Sequence, residues 1–147
     1  MSGRDVTIHQ ATKADLSSVE TILAENRLPV ADVGPHPEWF YIASVHGTRV
    51  GVGGLEPYDD VGLLRSVVVD ASARGLGIGT ALCDGLESIA RTRGIDTIYL
   101  LTTTAADFFA NRGYHPIDRS AAPATIQHTN QFADLCPSTA TCMKKSL

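Results

Sequence analysis

Six residues pose the chemical question: Arg74-Gly75-Leu76-Gly77-Ile78-Gly79, shortly after the run Val67-Val68-Val69 and just before a segment with helical spacing. A helix begins with N–H groups that have no partner inside it, and its dipole places partial positive charge there. Glycines on the approach let an anion reach the main chain, and an arginine adds a charge that can grip two oxygens. The stretch reads as a pyrophosphate cradle. Spacing then excludes two common cradles. In G-x-G-x-x-G, counted from Gly75 and Gly77, the third glycine falls on Thr80; in G-x-x-x-x-G-K-[ST], Gly75 and Gly79 have no lysine in register. The pattern left is [QR]-x-x-G-x-G, ending on Gly77 and Gly79. The competing reading is a glycine loop that only permits close packing.

Other residues also stand out by type and place. Arg65 interrupts the apolar run "LLRSVVV", where a guanidinium is costly without a partner. It is either a clamp for a substrate oxyanion or a structural charge, at a sheet edge or paired with an internal acid. Cys136 and Cys142 are either a soft-metalloid thiolate pair or two incidental thiols, and their spacing is no zinc signature. The five histidines are scattered without ligand spacing, so no metal site is assigned.

The elements that must carry these groups follow from periodicity. Val6 and Ile8 alternate as a strand, and Thr12 with Asp15 reads as a capping pair ahead of the stripe Leu16, Val19, Ile22, Leu23. Prolines at 29, 35 and 37 make an irregular loop. "WFYIASV" and "RVGVGGLE" flank His46-Gly47-Thr48 as a hairpin, and "VGLLRSVVVD" is a third strand. From Thr80 a helix presents Leu82, Leu86, Ile89 and Ala90, with Gly94 as its stop. "TIYLL" reads as a buried strand, "AADFFANRG" as a short helix and "YHPID" as a strand. Residues 119 to 135 are partly helical, and the tail offers a last strand. The order predicts a mixed α/β sandwich.

With 147 residues, 44% of them apolar, a single domain over 1–147 is expected. A net charge of −4 and the lack of a basic cluster beyond Lys144-Lys145 argue against a nucleic-acid surface. No apolar run approaches a bilayer span, and the first residues lack a secretory core, so a cytoplasmic protein without membrane contact is expected.

The glycine pattern, the meander before it, "TIYLL" after it and "FFANRGY" resemble the GNAT superfamily of acetyl-CoA-dependent N-acetyltransferases. The resemblance runs from about Val6 to Asp118 and implies a mainly antiparallel central sheet with a splayed strand pair and helices on both faces. It implies acetyl-CoA as cosubstrate, its pyrophosphate on Arg74, Gly75, Leu76, Gly77, Ile78, Gly79 and Thr80. Val67, Val68 and Val69 would offer main-chain groups to pantetheine, and the Val68 strip an N–H to the thioester oxygen. Thr102, Phe108 and Phe109 would flank the cofactor arm. Glu56 stands where relatives often keep a base, with Asp59 and Asp60 in the next turn as weaker candidates. Two positions depart from the family's pattern. Phe109 replaces the tyrosine thought to protonate the CoA thiolate, and Thr102 replaces an asparagine.

The expected function is direct acetyl transfer to the amine of a small molecule. "LLTTT" and the tail "FADLCPSTATCMKK" resemble a narrower group encoded beside arsenic-resistance genes, which implies an amino-acid-like acceptor or an arsenic- or phosphorus-containing glutamate analogue, with Arg65 as its clamp. The alternatives are a peptide or protein acceptor, and a non-catalytic module sensing acetyl-CoA or a metalloid. The superfamily's habit implies a homodimer.

Overall fold

In the computed structural model the residues described are 6–28, 30, 33–70, 73, 75, 77–129, 132 and 140–147. Strand β1 (Val6–Gln10) leads through a 3-10 turn at Lys13–Asp15 into α1 (Leu16–Glu25). A second 3-10 turn at Pro37–Trp39 precedes β2 (Phe40–Val45), β3 (Thr48–Tyr58) and β4 (Val61–Val69). Then come α2 (Ile78–Thr92), β5 (Thr97–Thr102), α3 (Ala106–Asn111), β6 (His115–Ile117), α4 (Ala124–Gln127) and β7 (Thr141–Ser146). The strands form one sheet in the order β1-β2-β3-β4-β5-β7-β6. The pairing is antiparallel for β1 with β2, β2 with β3, β5 with β7 and β6 with β7, and parallel for β4 with β5. That is the expected mixed, mainly antiparallel α/β fold.

Local chemistry explains the joints. The Thr12 N–H donates to Asp15 Oδ2 at 2.9 Å, and the Asp15 N–H returns to Thr12 O at 2.9 Å, closing the chain into α1. The same backbone bond from Thr12 holds the Asp15 carboxyl below its ordinary pKa of 3.8. Between β2 and β3, His46 (φ 50°) and Gly47 (φ 81°) are both left-handed, as a two-residue hairpin with the right twist requires.

Two compact units divide the chain: Met1–Leu55 with Ser66–Ile89, and Glu56–Arg65 with Ala90–Leu147. In the first, α1 buries Val19, Ile22 and Leu23 against Phe40, Ile42, Val52 and Val68. The neighbour of Val52, Gly53, points the other way, since strand side chains alternate. A Cβ there would stand 2.7 Å from Leu86 Cδ1 of α2, and one on Gly85 would stand 2.1 Å from Ile8 Cδ1. Helices therefore cover both faces, and α2 settles close to the sheet because glycine stands at both contacts.

In the second unit Leu63, Tyr99, Ala122, Ile126, Phe132 and Cys142 form the core. The parallel β4–β5 ladder joins Val61 to Thr97, Gly62 to Ile98 and Leu63 to Tyr99. The strands themselves run nine and six residues. No helix among the described residues is long and apolar enough to cross a membrane.

Candidate active site

As the chain leaves β4, the Asp70 N–H donates to Val50 O at 2.8 Å and the Ala73 N–H to Asp70 O at 2.9 Å. Gly75 (φ 83°) and Gly77 (φ 78°) follow in the left-handed region, where an L side chain is strained. A Cβ added at either would meet nothing within 4 Å among the described residues. Close packing is therefore not why these positions are glycine. Helix α2 begins at once, two residues earlier than periodicity predicts, with Ala81 N–H donating to Gly77 O at 3.1 Å. The N–H groups of Ile78, Gly79 and Thr80 precede that ladder and belong to the electropositive end of the helix. The Ile78 side chain is buried and anchors the turn. Arg74 and Leu76 lie outside the described residues.

Upstream, Val68 is buried while Val67 and Val69 are half-buried. Within this strand Ser66 has φ 56°, a conformation costing about 1 to 3 kcal/mol in a non-glycine residue unless its surroundings enforce it. The Val68 carbonyl oxygen comes within 2.6 Å of where a Gly51 Cβ would stand, so β3 can lie this close only as glycine.

In the second unit the base candidate Glu56 and the clamp candidate Arg65 meet. Arg65 Nη1 donates to Glu56 Oε2 at 2.9 Å, with side-chain exposures of 0% and 3%. The Tyr58 hydroxyl donates to Glu56 Oε1 at 2.5 Å, so each carboxylate oxygen is engaged. Of the roles weighed for Arg65, pairing with an internal acid is the one observed. The guanidinium is fully covered, and its observed partner is the Glu56 carboxylate. In this conformation the two side chains are bound to each other and covered.

Thr102 Oγ1 accepts the Ala105 N–H at 3.0 Å, so this hydroxyl caps the approach to α3. Phe109 is buried, its ring edge-on to Tyr114 at 5.4 Å and to Phe108 at 5.1 Å, with Phe108 half-buried. Tyr41, Tyr99 and Tyr114 are buried too. Burial raises the Cys142 thiol above its ordinary 9.0, against a smaller opposing pull from Arg119. A protonated thiol is a poor metalloid ligand. Cys136 lies outside the described residues, which hold no cluster of three or more His, Cys, Asp or Glu able to bind a metal.

Residues 8–115 match the profile of the acetyltransferase (GNAT) family. The chain belongs to that family. An amino-acid acetyltransferase of Mycobacterium tuberculosis is 32% identical over 107 residues, covering 72% of this chain and 55% of its own. The chain thus spans about half the length of that relative. N-acetylglutamate synthase from Neisseria gonorrhoeae, solved with coenzyme A and L-arginine, shares the fold at TM-score 0.83 and 22% identity, over 97% of this chain and 33% of that one. The same enzyme with coenzyme A and N-acetyl-glutamate superposes at TM-score 0.81 and 22% identity, over 97% and 35%.

For this GNAT chain, acetyl-CoA is the family's cosubstrate, and the donor set fits its pyrophosphate: open left-handed glycines followed by a helix N-terminus. The contact of the Tyr58 hydroxyl with Glu56 and the backbone of Ser66 were not read from the sequence. Tyr58 follows Glu56 by two residues and so shares its face of β3, a signal that was there to be read. Ser66 carries no sign of its left-handed backbone.

Proposed function

We propose that the chain transfers acetyl from acetyl-CoA directly to the amine of a small amino acid of the glutamate class. The observation that carries the donor side is the loop at Gly75 and Gly77, left-handed and open, with α2 starting at Ile78. In this reading the N–H groups of Ile78, Gly79 and Thr80 hold the pyrophosphate, and Arg74 adds charge. Val67 to Val69 run along the pantetheine arm. An N–H in this strip, Val68 being the candidate, stabilises the oxyanion, a contribution of about 3 kcal/mol.

The neutral amine attacks the thioester carbon, the C–S bond breaks, the amine proton passes to water, and the CoA thiolate takes a proton from solvent. Proximity supplies much of the rate. Phe109 offers no hydroxyl for the thiolate, and a proton donor contributes about 100 to 10,000-fold, so the reading predicts a modest kcat rather than none. The amino-acid acceptor is supported by the activity named for the mycobacterial relative and by the N-acetyl-glutamate bound to the neisserial enzyme. A glutamate analogue bearing arsenic or phosphorus is the finer proposal, supported by the resemblance of "LLTTT" and the tail.

The test of the donor site is Gly77→Val. Its side chain should occupy the anion's approach and weaken CoA binding at least ~10-fold. Gly94→Val supplies the control, because Gly94 has φ 82° and equally open surroundings at the far end of α2. Unchanged CoA binding by a folded Gly77→Val, or equal loss in both variants, would place the cradle elsewhere.

A further inference from the structure

Half-buried Tyr58 and the buried Glu56 and Arg65 form a series whose purpose the acetyl-transfer reading leaves open. Glu56 and Arg65 are 2% and 3% exposed, and a charge pair so covered is often no more stable than apolar packing. Its position along β4 suggests what it does. Arg65 is followed directly by Ser66, whose φ of 56° departs from extended backbone just before Val67, Val68 and Val69. A left-handed serine persists only where both sides are fixed. Downstream, the Val68 carbonyl lies against the bare Cα of Gly51, and Asp70 N–H is bound to Val50 O. Upstream, the Arg65 guanidinium is tied to Glu56 Oε2, while the Tyr58 hydroxyl holds Oε1.

We infer that Tyr58 is a positioning residue for acetyl transfer: it locks Glu56 onto Arg65 and thereby fixes the bent main chain at 66–69. This rests on the proposed role of Val67 to Val69. A short hydrogen bond from a phenol to a carboxylate is the stronger, charge-assisted kind, and it removes the freedom of Glu56 to rotate away from the guanidinium. Misplacing the strip spoils alignment in the transition state more than binding of either reactant.

Tyr58→Phe keeps the ring and deletes the hydroxyl. Expected in steady-state kinetics is a kcat about tenfold lower, with KM for acetyl-CoA and for the amine each within twofold of wild type. Amide resonances of Ser66 to Val69 should shift, while those of α1 stay in place. A clamp role for Arg65 would raise the KM of carboxylate-bearing acceptors alone, and a merely structural role would lower stability at unchanged kcat; either result overturns the inference. The resonances decide independently of turnover. Should wild type acetylate nothing, the proposed reaction fails, yet unmoved amides at 66–69 would still refute the positioning of the main chain, and shifted ones would uphold it.

Discussion

Arg65 shows how little a residue's type says about its use until its partner is known. A guanidinium inside "LLRSVVV" had to be compensated, and the residues alone left open whether a ligand or an internal acid does so. The partner is Glu56, 2.9 Å away, the same carboxylate that stands where relatives often keep a base. Nothing in one sequence specifies which acid faces which base across two strands. Removing one member of such a pair strands the other: Arg65→Met should destabilise the protein by about 3 to 5 kcal/mol in urea unfolding. Adding Glu56→Gln should recover most of that. A single variant within ~1 kcal/mol of wild type would mean the pair is solvated, since exposed pairs contribute little. Cys142 supports a second test at this scale. Its burial-raised pKa predicts no alkylation by iodoacetamide at pH 8 in the native protein, read by mass spectrometry of the digest. Rapid labelling would contradict the buried placement.

Elements were more legible than contacts. Alternation located β1, the apolar run "TIYLL" located β5, and His46-Gly47 marked the turn between β2 and β3 because left-handed backbone has a residue signature. The start of α2 was placed two residues late, since Ile78 and Gly79 read as loop while they form its first turn. The kink at Ser66 was invisible for a similar reason: serine fits a strand pattern, and tertiary constraints set its φ. The glycines of β3 carried more information than composition suggests. At Gly51 an added methyl meets the Val68 backbone at 2.6 Å, which cannot yield without moving β4. At Gly85 the obstacle is the end of the Ile8 side chain, which can rotate, and alanine gains about 1 kcal/mol of helix propensity. Gly51→Ala should therefore destabilise by more than ~2 kcal/mol and Gly85→Ala by less than ~1, measured by urea unfolding. The reverse order would mean that α2, not the β3–β4 approach, is the tighter contact.

At the scale of the whole molecule, membership of the GNAT family ties together a seven-stranded mixed sheet, a glycine loop and a helix that starts on it. The donor side was readable because a phosphate cradle is local: its glycines, strand and helix are consecutive in the chain. The acceptor side was not, because its candidates lie on β3 and β4 and take their meaning from pairing. The chain covers 55% of its mycobacterial relative, so its acceptor must be measured directly. Incubating the purified chain with acetyl-CoA and L-glutamate, beside 4-aminobutyrate and a peptide amine, tests the central claim. Mass spectrometry and thiol release should show one CoA freed per N-acetylglutamate formed, with weaker turnover of the other two. Saturable acetyl-CoA binding without product on any amine would contradict the account and leave a sensor of the cofactor.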